Sequence, residues 1–235
     1  ELFYLKYDNK NVLKLLNDAD AEIDPRGNYT AERLMEVIDI IKSGRSISAI
    51  KNPDYLSRFI AEYYKANEEN SILHDDYLAA LYYKYAMKCS NKFVSSWFEY
   101  NMNMSNILTA IACRKYNWDI SANIVGDNPV CIALRTSRER NFGLMELDIF
   151  ESLSKISEIE DLVEREKKLD LLRWNWMEEQ TFFDYFSIER IFVFLLKLEM
   201  VERWISLDSE KGNQLFRSII DSLKNEVQIP EEFRS

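Results

Sequence analysis

Few side chains in this 235-residue chain combine the type and spacing that chemistry requires. His74 is the only histidine; it follows Ser71-Ile72-Leu73, with Ser71 where a ligand motif needs Glu, and it has no local Ser or Cys partner suggestive of a nucleophile. It therefore completes neither a Glu-x-x-His ligand motif nor a nucleophile–base couple, and it reads as a residue of a loop between helices. Cys89, Cys113 and Cys131 are scattered, with no C-x-x-C pair and an odd count. Structural zinc sites pair their ligands at close spacing, and unpaired cysteines suit a reducing compartment. The acidic doublets Asp75-Asp76, Glu178-Glu179 and Glu231-Glu232 are neighbours in sequence and do not face each other on a helix. Acid–base catalysis needs two carboxylates set across a substrate with their pKa values pushed apart. Gly126 and Gly143 are lone turn glycines and cradle no phosphate. The inventory points away from an enzyme and away from a metal or cofactor.

Two patterns stand above this background. Arg173, Trp174 and Trp176 precede the aromatic cluster Phe182, Phe183, Tyr185 and Phe186, and Trp and Arg are the residue types that anchor protein interfaces. Packing between two long helices accounts for the same residues. The second pattern is a polar pair at i, i+3 inside an apolar helical stretch, found as Asp8/Asn11, Asn103/Asn106 and Glu199/Glu202. Residues three apart share a helix face, so each pair could cap a neighbouring helix, line a cavity or lie on a solvated face.

The elements that carry these residues are helical almost throughout. With only 5 Gly and 4 Pro, the chain lacks the turn residues of sandwiches and barrels and the phosphate-binding loops of nucleotide folds. Leu34, Val37, Ile38 and Ile41 follow helical periodicity after a Thr30 cap, with Gly44 at the far end. Asn52-Pro53 and Asp75-Asp76 open two further helices, and a long one spans about 91–116, followed by a turn-rich link over 117–128. Ser157 and Glu160 form an S-x-x-E capping box ahead of another helix, on which Asp161/Arg165 and Glu164/Lys168 are i, i+4 ion pairs. Helices over about 184–207 and 209–224 complete an all-α chain, the last with Leu215, Phe216, Ile219, Ile220 and Leu223 buried.

A net charge of −10 with no long basic run disfavours nucleic acid and anionic lipid, and fits a basic protein partner instead. The longest strongly apolar run, Ile191 to Leu196, is far too short to cross a bilayer. Compared with itself at a shift of 95 residues, the chain aligns Phe3, Asp8, Asn11, Val12 and Leu13 with Phe98, Asn103, Asn106, Ile107 and Leu108. A further shift of 96 aligns Phe194, Glu199 and Glu202. This suggests about three pseudo-repeated long-helix units over 1–90, 91–181 and 182–235, or one continuous domain built on them. Glu1 already lies inside an apolar helical pattern, so the first unit is expected to be incomplete and to leave an apolar groove beside the Leu2 to Leu16 helix.

The stretch Asn103-Met104-Ser105-Asn106-Ile107-Leu108-Thr109-Ala110-Ile111 with Arg114-Lys115, and the stretch Phe194 to Glu202, resemble the long helices of the C-type subunits of A/V-type ATPases, known as the d-type in the vacuolar enzyme. From Trp97 to Lys224, including Ile124 to Asn128, Glu164 to Lys168 and Leu171 to Trp176, the chain resembles an uncharacterised bacterial family that accompanies V-type ATPase subunits. The resemblance implies a funnel of three helical units acting as a non-catalytic central-stalk rotor part. Such a part would join the membrane ring to the central shaft and sit in the cytoplasm, peripheral at the inner face of the membrane. It implies no cofactor, no nucleic acid, and other ATPase subunits as partners. An unrelated helical scaffold or regulatory adaptor is the other reading.

Overall fold

The computed structural model describes residues 1–44, 52–68, 75–144, 147–184 and 186–206. His74, Tyr185, Glu231-Glu232 and the helix expected over 209–224 lie outside them. The regular elements among the described residues are all helices, with no strand among them. Two compact units emerge, 1–169 and 170–235, so the boundary expected after residue 90 falls inside the larger one.

In the first unit α1 (Leu5–Asn17) buries Leu5, Tyr7, Val12 and Leu15 along one stripe, and with them Asp8, Asn9 and Asn11. Of the large hydrophobic residues from Leu2 to Leu16 only Tyr4 is exposed, and an open pocket lies at the Leu2 end, lined also by Tyr55, Leu81 and Tyr85. Helix α2 (Ala31–Lys42) starts where Thr30 accepts a bond from the Arg33 N–H and ends before Gly44. Gly44 adopts φ +68°, a left-handed conformation that glycine enters without strain. Helices α3 (Asp54–Glu68) and α4 (Asp75–Ala86) pack together, and α2 packs on both α1 and α3. Phe59, at 0% exposure, sits at the centre of this packing, and the Tyr55 hydroxyl reaches Asn9 Oδ1 at 2.7 Å.

Helix α5 (Lys92–Tyr116) is the long helix read from the sequence. Asn91 caps it by accepting from the Val94 N–H at 3.0 Å, and Asn117 ends it at φ +56°. It buries Trp97, Phe98, Met102, Met104, Ile107 and Ala110, each large apolar side chain stabilising by roughly 1.5–3 kcal/mol. Its wide buried face follows from four neighbours, α4, the single turn α6 (Ile120–Asn123), α7 (Pro129–Thr136) and α8 (Asp148–Ser157). The expected Ser157/Glu160 capping box does not form. Ser157 ends α8 with its hydroxyl on the Ser154 carbonyl, and Asp161 caps α9 (Leu162–Gln180) by accepting from the Glu164 N–H at 2.7 Å. A carboxylate one residue before the helix reaches that N–H, whereas Ser157 is held by the preceding helix. Of the two expected ion pairs, Glu164–Lys168 is present at 3.7 Å.

Helix α9 runs on into the second unit, where its later turns pair with α10 (Ile188–Ser206). Asp170 meets Arg203 and Trp204 while Glu178, two turns further on, meets Lys197 and Arg190, so the two helices run antiparallel. No helix among the described residues is long and apolar enough to cross a membrane.

Candidate functional site

Asp8 and Asn11 point from one face of α1 at the loop that leads to α2. The Asn11 amide nitrogen donates to the Asp24 carbonyl at 2.9 Å, and the Asp24 N–H donates back to Asn11 Oδ1 at 2.8 Å. One turn earlier, the Asp8 carboxylate accepts from the Asn28 N–H at 3.0 Å, the Asn28 amide at 2.7 Å and the Tyr29 N–H at 3.1 Å. A side-chain amide carries a donor and an acceptor side by side and can replace a backbone partner for a loop that has none.

The same device recurs on α5. The Asn106 amide donates to the Val125 carbonyl at 2.7 Å, and the Val125 N–H donates to Asn106 Oδ1 at 3.0 Å. Asn103 Oδ1 accepts from the Asn128 amide at 2.8 Å, while Asn128 Oδ1 caps α7 by accepting from the Cys131 N–H at 2.9 Å. In both places the later residue of the polar pair grips one loop residue through two bonds. The earlier one holds the residues that lead into the next helix, Asn28 and Tyr29 ahead of the Thr30 cap or the Asn128 cap itself. All four side chains are buried, so the solvated-face alternative fails for these two pairs.

Each clasp also closes on a glycine. A Cβ added at Gly27 would stand 2.5 Å from Asp8 Oδ1, on a carboxylate that its bonds from Asn28 and Tyr29 hold in place. Gly126 adopts φ +93°, and a Cβ there would lie 2.7 Å from Met102 Sδ.

In the first clasp Asp24 has a cation beside it, whereas Asp8 is held by neutral N–H donors. The Arg26 guanidinium bonds the Asp24 carboxylate at 2.5 and 2.9 Å and lies 4.2 Å above the Tyr7 ring. That hydrogen bonding holds Asp24 down to about 2. Burial, with the nearby carboxylates of Glu1 and Asp8, pushes Tyr29 up to about 12. In the second clasp the Cys131 thiol donates to the Val125 carbonyl at 3.2 Å, and burial raises its pKa, which keeps it a protonated and unreactive thiol. At the end of α5, Arg114 donates to the Arg140 and Ser137 carbonyls and stacks 3.4 Å from the Phe142 ring, tying down the loop after α7.

The third pair is placed differently. Glu202 is exposed and Glu199 half-buried, and Phe194, aligned in sequence with the buried Phe98, is 64% exposed. The segment that follows α10, where a loop for this pair to hold would begin, lies outside the described residues.

Arg173 and Trp174 belong to the second unit and are engaged within its hairpin. Arg173 pairs with Asp170 at 3.0 Å, and Lys197 Nζ sits 4.1 Å from the Trp174 ring centre. Trp176 is half-buried. The organising groups here are two carboxylates that the sequence pattern does not single out for this role. Asp170 accepts from Arg173, Arg203 and the Trp204 indole, and Glu178 accepts from Arg190 and Lys197. Their signal in sequence is the spacing of opposite charges across two helices, which only the antiparallel pairing discloses. Burial lowers the pKa of Lys197.

No group of three or more potential metal ligands lies together among the described residues. Chemically the clasps are binding devices for the chain's own backbone: they fix where loops leave one helix and enter the next. No curated protein and no solved structure matches the sequence. Residues 1–227, which hold both clasps and the hairpin, match the model of the family described as Protein of unknown function (DUF2764), and the chain belongs to that family.

Proposed function

We propose that this chain is a non-catalytic central-stalk component of a bacterial V/A-type ATPase, linking the membrane rotor ring to the central shaft from the cytoplasmic side. The observation that carries the reading is the twin clasp. The funnel components of such stalks are expected to consist of repeated helical units, and the Asn11 and Asn106 clasps are the same hydrogen-bonded device on two helices aligned at a shift of 95 residues. An all-helical body with loops tied to its long helices suits a part that transmits torque, because a load on a loop passes directly into a helix. The net charge of −10 favours a basic face on shaft or ring as the docking surface. The test is a pull-down of the tagged, full-length protein from its native cell, followed by identification of co-purifying chains. Recovery of ATPase shaft and ring subunits in a nucleotide-independent complex is the expected result. Their absence from a preparation in which the ATPase itself is intact would remove the reading.

A further inference from the structure

In the first unit, the loop between α7 and α8 holds Phe142 at φ +57° although the residue is only 1% exposed. A residue with a side chain is strained in that left-handed region and stays there only where its surroundings hold it. The Arg114 guanidinium covers one face of its ring, and the Phe150 ring of α8 meets it edge-on with centroids 6.3 Å apart. Arg114 donates only to the Arg140 and Ser137 carbonyls, and no carboxylate pairs with it among the described residues. Burial lowers its pKa, as it does for a cation whose charge nothing nearby offsets.

Beside these residues a half-open cavity of about 500 Å³ lies between the end of α5, the loop and α8. Ile111, Phe142 and Phe150 form its apolar wall, and Arg114, Arg140, Asn141 and Ser154 supply its polar lining. No carboxylate lines it, in a chain with 40 acidic residues and a net charge of −10. The Arg140 side chain is exposed and has no carboxylate partner among the described residues, and Asn141 engages only its oxygen, which accepts from the Gly143 N–H at 3.1 Å.

We propose that this cavity binds a small organic anion, a carboxylate or phosphoryl group carried on an aromatic body. Two guanidinium groups form charge-assisted bonds with either oxyanion, and the Asn141 amide and Ser154 hydroxyl add neutral donors. Ile111 and the two phenyl rings offer the body a wall on which another ring packs edge-on or offset. The volume is that of small-molecule sites. A cation would be repelled, and a neutral molecule would bury Arg114 further without offsetting its charge. The strain at Phe142 then has a use: it fixes the ring where it backs both Arg114 and the bound body. The site uses neither clasp and does not depend on the stalk reading.

Calorimetric titration of the full chain tests this, with phenyl phosphate and phenylacetate as probes and benzyl alcohol and inorganic phosphate as controls. At least one aryl anion should bind at a single site, and which one does so tells whether the site reads a phosphoryl group or a carboxylate. Benzyl alcohol, which lacks the charge, and inorganic phosphate, which lacks the ring, should each bind at least about tenfold more weakly. Arg140→Gln changes a side chain that holds nothing in the fold, so it should weaken binding about tenfold or more with the unfolding temperature unchanged. Lys10→Gln, at an exposed position on α1, should leave binding as it is. Failure of both aryl anions to bind at millimolar concentration overturns the proposal. So does aryl-anion binding that survives Arg140→Gln, an equal loss in Lys10→Gln, or either control bound as tightly as the aryl anion.

Discussion

Replacing Asn106 by Ala removes one side chain and strands two backbone groups. Its amide is the partner of both the Val125 carbonyl and the Val125 N–H, and it also lies 3.3 Å from the Cys131 sulfur. Leaving a buried donor or acceptor unsatisfied costs about 1–3 kcal/mol. Val125 is only half-buried, so water can recover part of the loss, while Asn106 itself is 3% exposed and leaves a void. The sum falls at about 2–4 kcal/mol, and for a chain of this size each kcal/mol lowers Tm by roughly 2–4 °C. Thermal and urea unfolding of Asn106→Ala against wild type should therefore show a loss of roughly 4–16 °C, and Asn11→Ala should lose a similar amount by the same mechanism. Glu202→Ala, at an exposed position, should change stability by less than about 0.5 kcal/mol. A cost below about 1 kcal/mol for Asn106→Ala would refute the idea that the clasp holds the loop, since the loop would then be keeping its place without it.

Gly27→Ala should destabilise by about 1–3 kcal/mol in the same unfolding assay, because its Cβ would meet Asp8 Oδ1, which cannot yield without breaking its bond from the Tyr29 N–H. Asp170→Ala should loosen the hairpin, seen as faster amide hydrogen exchange in α10, since Arg203 and the Trp204 indole lose a shared acceptor. Stability should fall at both extremes of pH. Asp24, held near 2 against an ordinary 3.8, adds stability that is complete above about pH 4 and is lost as pH drops through 2. Tyr29, raised to about 12 from 10, adds stability that is complete below pH 10 and is lost as pH climbs through 12. Unfolding midpoints of wild type against Arg26→Ala and Tyr29→Phe across pH should show each variant losing its own end of the dependence.

What is legible in the residues alone is what local rules set. Thr30 caps the helix that its position announces, and the helix expected over 91–116 runs as Lys92–Tyr116, because periodicity and capping act within a few residues. Helix α7 carries a usable signal, Asn128 followed by Pro129 at its first position, that helical periodicity alone does not raise. The Asn103/Asn106 and Asp8/Asn11 pairs emerge from self-comparison, but their partners do not. A backbone carbonyl at Asp24 or Val125 leaves no trace in residue identity. Ser157 shows the opposite failure: its capping motif is sound in isolation, and the run of α8 through Ser157 takes the residue first. Asp170 and Glu178 are hidden among the chain's 40 acidic residues, and only long-range antiparallel pairing distinguishes them.

The clasps also bear on how the chain finds its fold. Each joins residues close in sequence, Asn11 to Asp24 across 13 positions and Asn106 to Val125 across 19. The entropy of closing such loops differs by only about 0.3 kcal/mol between the two, and both close far more readily than contacts spanning a whole domain. A helix with its trailing segment already lashed back can therefore arise early, before α1 meets α3 or α5 meets α8, and the later docking brings together prearranged pieces instead of free chain. In kinetic terms, substitutions at Asn11 and Asn106 would slow refolding, whereas substitutions at Phe59, whose neighbours come from separate helices, would mainly quicken unfolding.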